Sequence, residues 1–82
     1  MARATLQVEN LKKKYGRKAV VKDVSLQMES SQIIGLLGPN GAGKTTMFYM
    51  IVGFIKADGG RILLNGRNVT SLPMYSRSRL GL

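Results

Sequence analysis

Three things are scarce in this chain. It has no cysteine, so neither disulfide bonds nor a cysteine-based zinc site can brace it. A domain of 82 residues buries a modest share of its surface, and scaffolds this small commonly rely on such braces. As an independent α/β unit it is therefore expected to be marginal. Acidic residues are scarce as well: four Asp and Glu stand against thirteen Lys and Arg, for a formal charge of +9 and a pI near 10.5. That balance points to an anionic partner, whether nucleotide, nucleic acid or membrane surface, or to acidic residues in another part of a longer protein. Long apolar runs are missing too. Nothing reaches the ~20 apolar residues of a membrane-spanning helix, and the longest candidate, Met47 to Ile55, reads as a buried helix. The first ten residues lack the apolar core of a secretion signal. The expected compartment is the cytosol, which the lack of cysteine fits.

What is present reads as short alternating elements. Leu6 to Leu11 predicts a short strand. Lys12 to Lys18 is a basic turn centred on Tyr15-Gly16. Val20, Val21, Val24, Leu26 and Met28 suit a second strand, kinked near Lys22-Asp23, and Ser30-Ser31 breaks the pattern. Ile33-Ile34-Gly35-Leu36-Leu37 is a continuous apolar run bounded by turn residues, which predicts a strand buried on both faces. A glycine-rich loop follows. Thr45 to Ile55 then places Met47, Met50, Ile51 and Phe54 at i, i+3, i+4 and i+7, one face of a helix that Tyr49 and Val52 widen. Asp58-Gly59-Gly60 is a turn, Arg61 to Asn65 a further strand, and Asn65-Gly66 a hairpin signal. Pro73 opens a last helix, with Thr70 and Ser71 as candidate caps. That helix carries Arg77 and Arg79, read as surface residues, and stops at Gly81.

The loop between strand and helix carries the chemistry. Gly38, Gly43, Lys44 and Thr45 meet the pattern G-x-x-x-x-G-K-[ST], with Pro39, Asn40, Gly41 and Ala42 between them. Gly38, Gly41 and Gly43 let backbone N–H groups approach an anion without a Cβ in the way. Those groups form an anion-binding concavity, to which the new helix adds its unpaired N-terminal donors. Lys44 is expected to reach the β- and γ-phosphates of a nucleoside triphosphate, and the Thr45 hydroxyl to ligate Mg²⁺. Thr46 is a second hydroxyl beside the same phosphates.

The stretch Gly38-Pro39-Asn40-Gly41-Ala42-Gly43-Lys44-Thr45-Thr46 resembles the Walker A loop of ATP-binding-cassette ATPases more than that of small GTPases or kinases. Val20-Val21-Lys22-Asp23-Val24-Ser25-Leu26 is similar to the segment that precedes this loop in those ATPases. Tyr15 lies at about the place of the aromatic that stacks on adenine in the family. Two further segments, Thr46 to Gly53 and Leu72 to Gly81, resemble the ATPase subunits of lipopolysaccharide export transporters, where the second leads into the Q-loop strand. From about Leu6 onward the resemblance covers the chain. It implies an α/β fold: a phosphate-loop NTPase core with an antiparallel β subdomain, stopping before the Q-loop and the helical subdomain. Residues 1–82 would be the N-terminal part of one nucleotide-binding domain. The implied cofactors are ATP and Mg²⁺. The implied partners are a second copy of the subunit and membrane-embedded permease subunits, which hold it at the cytoplasmic face of the inner membrane.

There are departures from the family. Ser30-Ser31-Gln32 stands where a Gly-Glu turn is usual, and a serine held at positive φ costs roughly 1 kcal/mol. No apolar run followed by Asp-Glu and no Leu-Ser-Gly-Gly signature is present, and histidine is missing altogether. Hydrolysis needs a positioned water, a complete Mg²⁺ shell and stabilisation of charge on the transferring phosphoryl group. No catalytic residue is therefore assigned, and these 82 residues alone are expected to bind ATP without turning it over. Two other readings stay open: the ATPase of a branched-chain amino acid importer, against which Leu72 to Leu82 argues by resemblance, and a nucleotide-binding remnant without activity. The cluster Lys12-Lys13-Lys14-Tyr15-Gly16-Arg17-Lys18 mixes cations with an aromatic, a combination that single-stranded nucleic acid can use. It is read here as a solvated turn, and no nucleic-acid partner is expected.

Overall fold

A computed structural model describes residues 4–36, 42–80 and 82. Strand β1 spans Thr5–Tyr15 and β2 spans Lys18–Glu29, paired antiparallel from Thr5↔Glu29 to Tyr15↔Lys18. Both run further than their apolar residues predict. The basic stretch Lys12 to Tyr15 stays in the ladder because pairing needs only backbone groups, and the turn shrinks to Gly16-Arg17. The kink expected at Lys22-Asp23 is a bulge. Leu11 pairs with Val24 and Lys12 with Lys22, which leaves Asp23 between them at a φ of 84°. Asn10 holds the irregularity in place: its N–H donates to Ser25 Oγ at 2.9 Å and its Nδ2 to Asp23 Oδ1 at 2.8 Å.

Strand β3, Gly59–Leu64, pairs with the other edge of β1, and the short β4, Arg67–Asn68, folds back on it. Asn65 and Gly66 make that hairpin turn with φ of 52° and 81°, the positive pair such a turn requires. The sheet order is β2-β1-β3-β4, antiparallel throughout. Leu6, Val8, Ile62 and Leu64 alternate onto one face. They are buried together with Leu11, Val21 and the Met47, Met50 and Ile51 side chains of helix α1, Ala42–Val52.

The helix begins and ends earlier than its apolar pattern predicts. Gly53, at a φ of 93°, stops it. The Gly53 N–H donates to Met50 O at 3.3 Å and the Phe54 N–H to Tyr49 O at 2.8 Å, the paired bonds of a glycine-ended helix. Phe54 therefore leaves the apolar face and is 64% exposed.

Three expectations are corrected. Ser30–Leu36 is a 3₁₀ helix, not the start of a buried strand; Ile33 and Leu36 are buried but Ile34 is 63% exposed. A strand must find partners for its N–H and C=O groups on a neighbour, and this segment pairs with neither edge of the described sheet, β2 or β4. A 3₁₀ turn closes its bonds within itself. In this conformation neither Ser30 nor Ser31 has a positive φ, so the expected strain there does not arise. Helix α2, Met74–Arg79, starts at Pro73 without a side-chain cap. The Thr70 hydroxyl is engaged elsewhere, accepting from the Ile62 N–H of β3 at 2.8 Å. Among the described residues no helix is long and apolar enough to cross a membrane.

Candidate functional site

Helix α1 begins where the glycine-rich loop ends. Gly38, Pro39, Asn40 and Gly41 lie outside the described residues, and of Ala42 the helical backbone alone is described. Gly43, Lys44, Thr45 and Thr46 follow on the first turns of α1. The start of a helix leaves N–H groups without carbonyl partners and carries the positive end of the helix dipole. The first turn holds no acidic residue to offset that field. Lys44 is exposed, Thr45 half-buried and Thr46 buried. The ammonium and the Thr45 hydroxyl thus share one turn with the free donors, while Thr46 belongs to the packed side of the helix.

Packing fixes where this turn sits. A Cβ on Gly43 would lie 3.1 Å from the Val20 carbonyl oxygen, so the helix start rests close against β2. Val20 lies between Ala19 and Val21, which pair with Lys14 and Lys13. The helix start and Tyr15 therefore share the hairpin end of the sheet. Tyr15 is 53% exposed, and Lys13 Nζ stands 5.3 Å from its ring centroid, within cation–π range. Lys13 Nζ also donates to Lys56 O at 2.9 Å and lies 3.7 Å from Asp58. Lys13 is thus turned inward, which corrects the reading of the whole run Lys12 to Lys18 as a solvated turn; Lys12, Lys14, Arg17 and Lys18 are exposed. The Lys14 N–H donates to Asp58 Oδ2 at 2.7 Å. That bond holds the Asp58 carboxyl below its ordinary pKa, with the Lys13 charge reinforcing it against a smaller opposing effect of desolvation.

The donor set fits a polyphosphate. Unpaired N–H groups, one ammonium and hydroxyl oxygens meet there without a carboxylate to repel the anion. It also fits a cation carried by that anion. Among the described residues no three His, Cys, Asp or Glu come together as a metal cage. Glu9 pairs with Arg61, Asp23 accepts from Asn10, and Asp58 is held by Lys13 and Lys14. A Mg²⁺ ion would take Thr45 Oγ from the protein and most other ligands from phosphate and water, which suits a small hard cation. A hollow lined by Gln7, Glu9, Asn10, Ser25 and Gln27 opens on the sheet, but no residue of α1 borders it.

Sequence reasoning missed one residue. Arg77, read as a surface arginine, is 5% exposed and bonded to the end of α1. Gly53 was the available signal: a glycine that ends a helix leaves carbonyls a cation can reach.

This arrangement of sheet and helix is that of an ATP-binding cassette. The chain matches the crystal structure of the ADP conformation of an ATP-binding cassette of an ABC transporter with a TM-score of 0.69 and 29% identity. The match covers 89% of this chain and 28% of that one. The sequence profile of the ABC transporter family matches residues 21–81, and the chain belongs to that family. A probable ABC transporter ATP-binding protein of Azorhizobium caulinodans is 57% identical over 81 residues, 99% of this chain and 29% of that protein. The lipopolysaccharide export system ATP-binding protein LptB of Escherichia coli strain K12 is 51% identical over 79 residues, 96% of this chain and 33% of that protein. The chain thus spans no more than 33% of the length of these curated relatives. The family binds ATP, normally with Mg²⁺, and hydrolyses it in the full-length form.

Proposed function

We propose that residues 1–82 are the N-terminal part of the nucleotide-binding domain of an ABC transporter ATPase, and that they bind the phosphates of Mg-ATP. The observation that carries this reading is the G-x-x-x-x-G-K-[ST] sequence running into the first turn of α1, a helix start with no acidic residue. The backbone from Gly38 to Gly43, with Pro39, Asn40, Gly41 and Ala42 between, wraps the phosphates as a Walker A loop. Lys44 supplies a mobile positive charge to the terminal phosphates, and Thr46 backs the turn from its buried side. The Thr45 hydroxyl would hold the Mg²⁺ that accompanies the nucleotide, and that ion would supply positive charge to the phosphates. Tyr15 offers its exposed face to the adenine, with Lys13 behind the ring.

All four acidic residues lie outside α1. None is positioned on the phosphate-binding turn to orient a water, so these residues bind nucleotide and the rest of the hydrolytic machinery is supplied elsewhere. In the intact transporter a second copy of the subunit and membrane-embedded permease subunits complete it at the cytoplasmic face of the inner membrane. The cargo is lipopolysaccharide, supported by identities of 51–54% to proteins named for lipopolysaccharide export. Calorimetric titration of ATP into Lys44→Ala tests the site: binding is expected to disappear, and unchanged affinity would refute the assignment. Rescue of cells depleted of their lipopolysaccharide-export ATPase tests the cargo, and failure to rescue would favour an importer ATPase.

A further inference from the structure

Arg77 is a buried charge that the phosphate site as described leaves without a part. It stands on α2 with its guanidinium against the end of α1. Nη1 donates to Met50 O at 2.6 Å and to Ile51 O at 2.9 Å. Nε donates to Leu72 O at 2.9 Å and Nη2 to Thr70 O at 2.7 Å. Met50 and Ile51 belong to the last turn of α1, whose carbonyls have no partner in the helix and carry its negative end. Leu72 and Thr70 belong to the connection between β4 and α2. One planar cation therefore joins two chain segments through carbonyl oxygens alone. Gly53 makes room for it: a Cβ there would lie 3.2 Å from Arg77 Nε and 3.2 Å from the Met74 backbone nitrogen. Lysine, with three donors on a single point, lacks the rigid fork that reaches these acceptors together.

Burying a guanidinium away from carboxylates is unfavourable unless its N–H groups are bonded. Here the bonds that satisfy it are also those that hold a helix end. The opposite end of that helix is the turn of Lys44 and Thr45. Helix α1 is 11 residues long, one stiff rod, so a clamp on its C-terminal carbonyls sets the axial position and tilt of its N-terminal donors.

We infer that Arg77 is a positioning residue for the nucleotide, holding α1 by its C-terminal end so that the first turn meets the phosphates. This rests on the reading of the Lys44 turn as the phosphate site. The test is ATP affinity, measured in the full-length protein for Arg77→Ala and Arg77→Lys well below each variant's unfolding midpoint. A helix displaced at its start is expected to lose about tenfold in affinity, the equivalent of about 1.4 kcal/mol of phosphate contacts. Guanidinium ion added to Arg77→Ala restores much of that loss by refilling the vacated fork, whereas methylammonium does not. Arg77→Lys keeps the charge and the fold, and it too binds ATP weakly. Wild-type affinity in folded Arg77→Lys, or a loss in Arg77→Ala that neither cation relieves, overturns the inference and leaves Arg77 a strut. Lys44→Ala, run alongside, separates the two readings: ATP binding that survives there refutes the phosphate site itself.

Discussion

Among the described glycines, Gly60 is the one where an added methyl group meets the closest obstacle. It sits in β3 opposite the bulge of β1, at a φ of 92°. A Cβ there would stand 2.6 Å from the Glu9 carbonyl oxygen and nearer still to that of Asn10. Neither obstacle is the flexible tip of a side chain; both are backbone of the central strand. Holding an L-residue at positive φ costs roughly 1–2 kcal/mol. Forcing the strands apart to admit the methyl adds about 1–3 kcal/mol, the scale of an overpacked core. Gly60→Ala should therefore destabilise by about 2–5 kcal/mol, a large share of the roughly 5–15 kcal/mol typical of a folded protein. Gly16→Ala is the control. Its φ of 61° is also positive, but nothing lies within 4 Å of the added methyl, so the backbone term of roughly 1–2 kcal/mol acts alone. Urea unfolding followed by circular dichroism reads both. Equal losses from the two substitutions would refute the claim that the bulge and Gly60 are packed backbone to backbone.

Other predictions follow from the core and from charge. Ile51 is fully buried between α1 and the sheet, so Ile51→Ala should cost about 2–5 kcal/mol in the same unfolding experiment; a loss below 1 kcal/mol would mean that the helix does not pack there. The Asp58 carboxyl is held below its ordinary pKa, chiefly by the Lys14 N–H. A group depressed by folding contributes stability that is complete above its unfolded pKa, about 3.9 for aspartate, and is lost as pH falls through the folded value. The difference in melting temperature between the protein and Asp58→Asn should thus stay constant from pH 6 to 8 and shrink on acidification below pH ~4. A gap that grows on acidification would contradict the bond.

The signals of the proposed site are local and stand in order along the chain. A phosphate loop needs glycines, a lysine and a hydroxyl at fixed spacing, and a helix after them; Lys44 and Thr45 stand on the first turn of α1 as that spacing implies. Asn65-Gly66 likewise determines its own turn through the positive φ that both residues tolerate. The kink at Asp23 was visible as a break in alternation, and the structure makes it a bulge held by Asn10.

What the sequence left undecided depends on partners distant along the chain. The run from Ile33 to Leu37 is apolar enough for a buried strand, yet the described part of it is 3₁₀ helix. Apolar character calls for burial, while a strand must also line up along a neighbour's free edge, and this segment pairs with neither edge strand, β2 or β4. Arg77 shows the same limit from the polar side. Spacing along α2 marks it as a charge on a short helix, which alone predicts solvent. Only the approach of α1's last turn brings Met50 O and Ile51 O within reach and turns that charge inward. The sequence by itself carries the phosphate-loop pattern and determined the Asn65-Gly66 turn, where the necessary groups are neighbours in the chain. Tertiary structure decided which apolar run becomes a strand and which cation is buried, because hydrogen-bond partners for both are set by packing between distant segments.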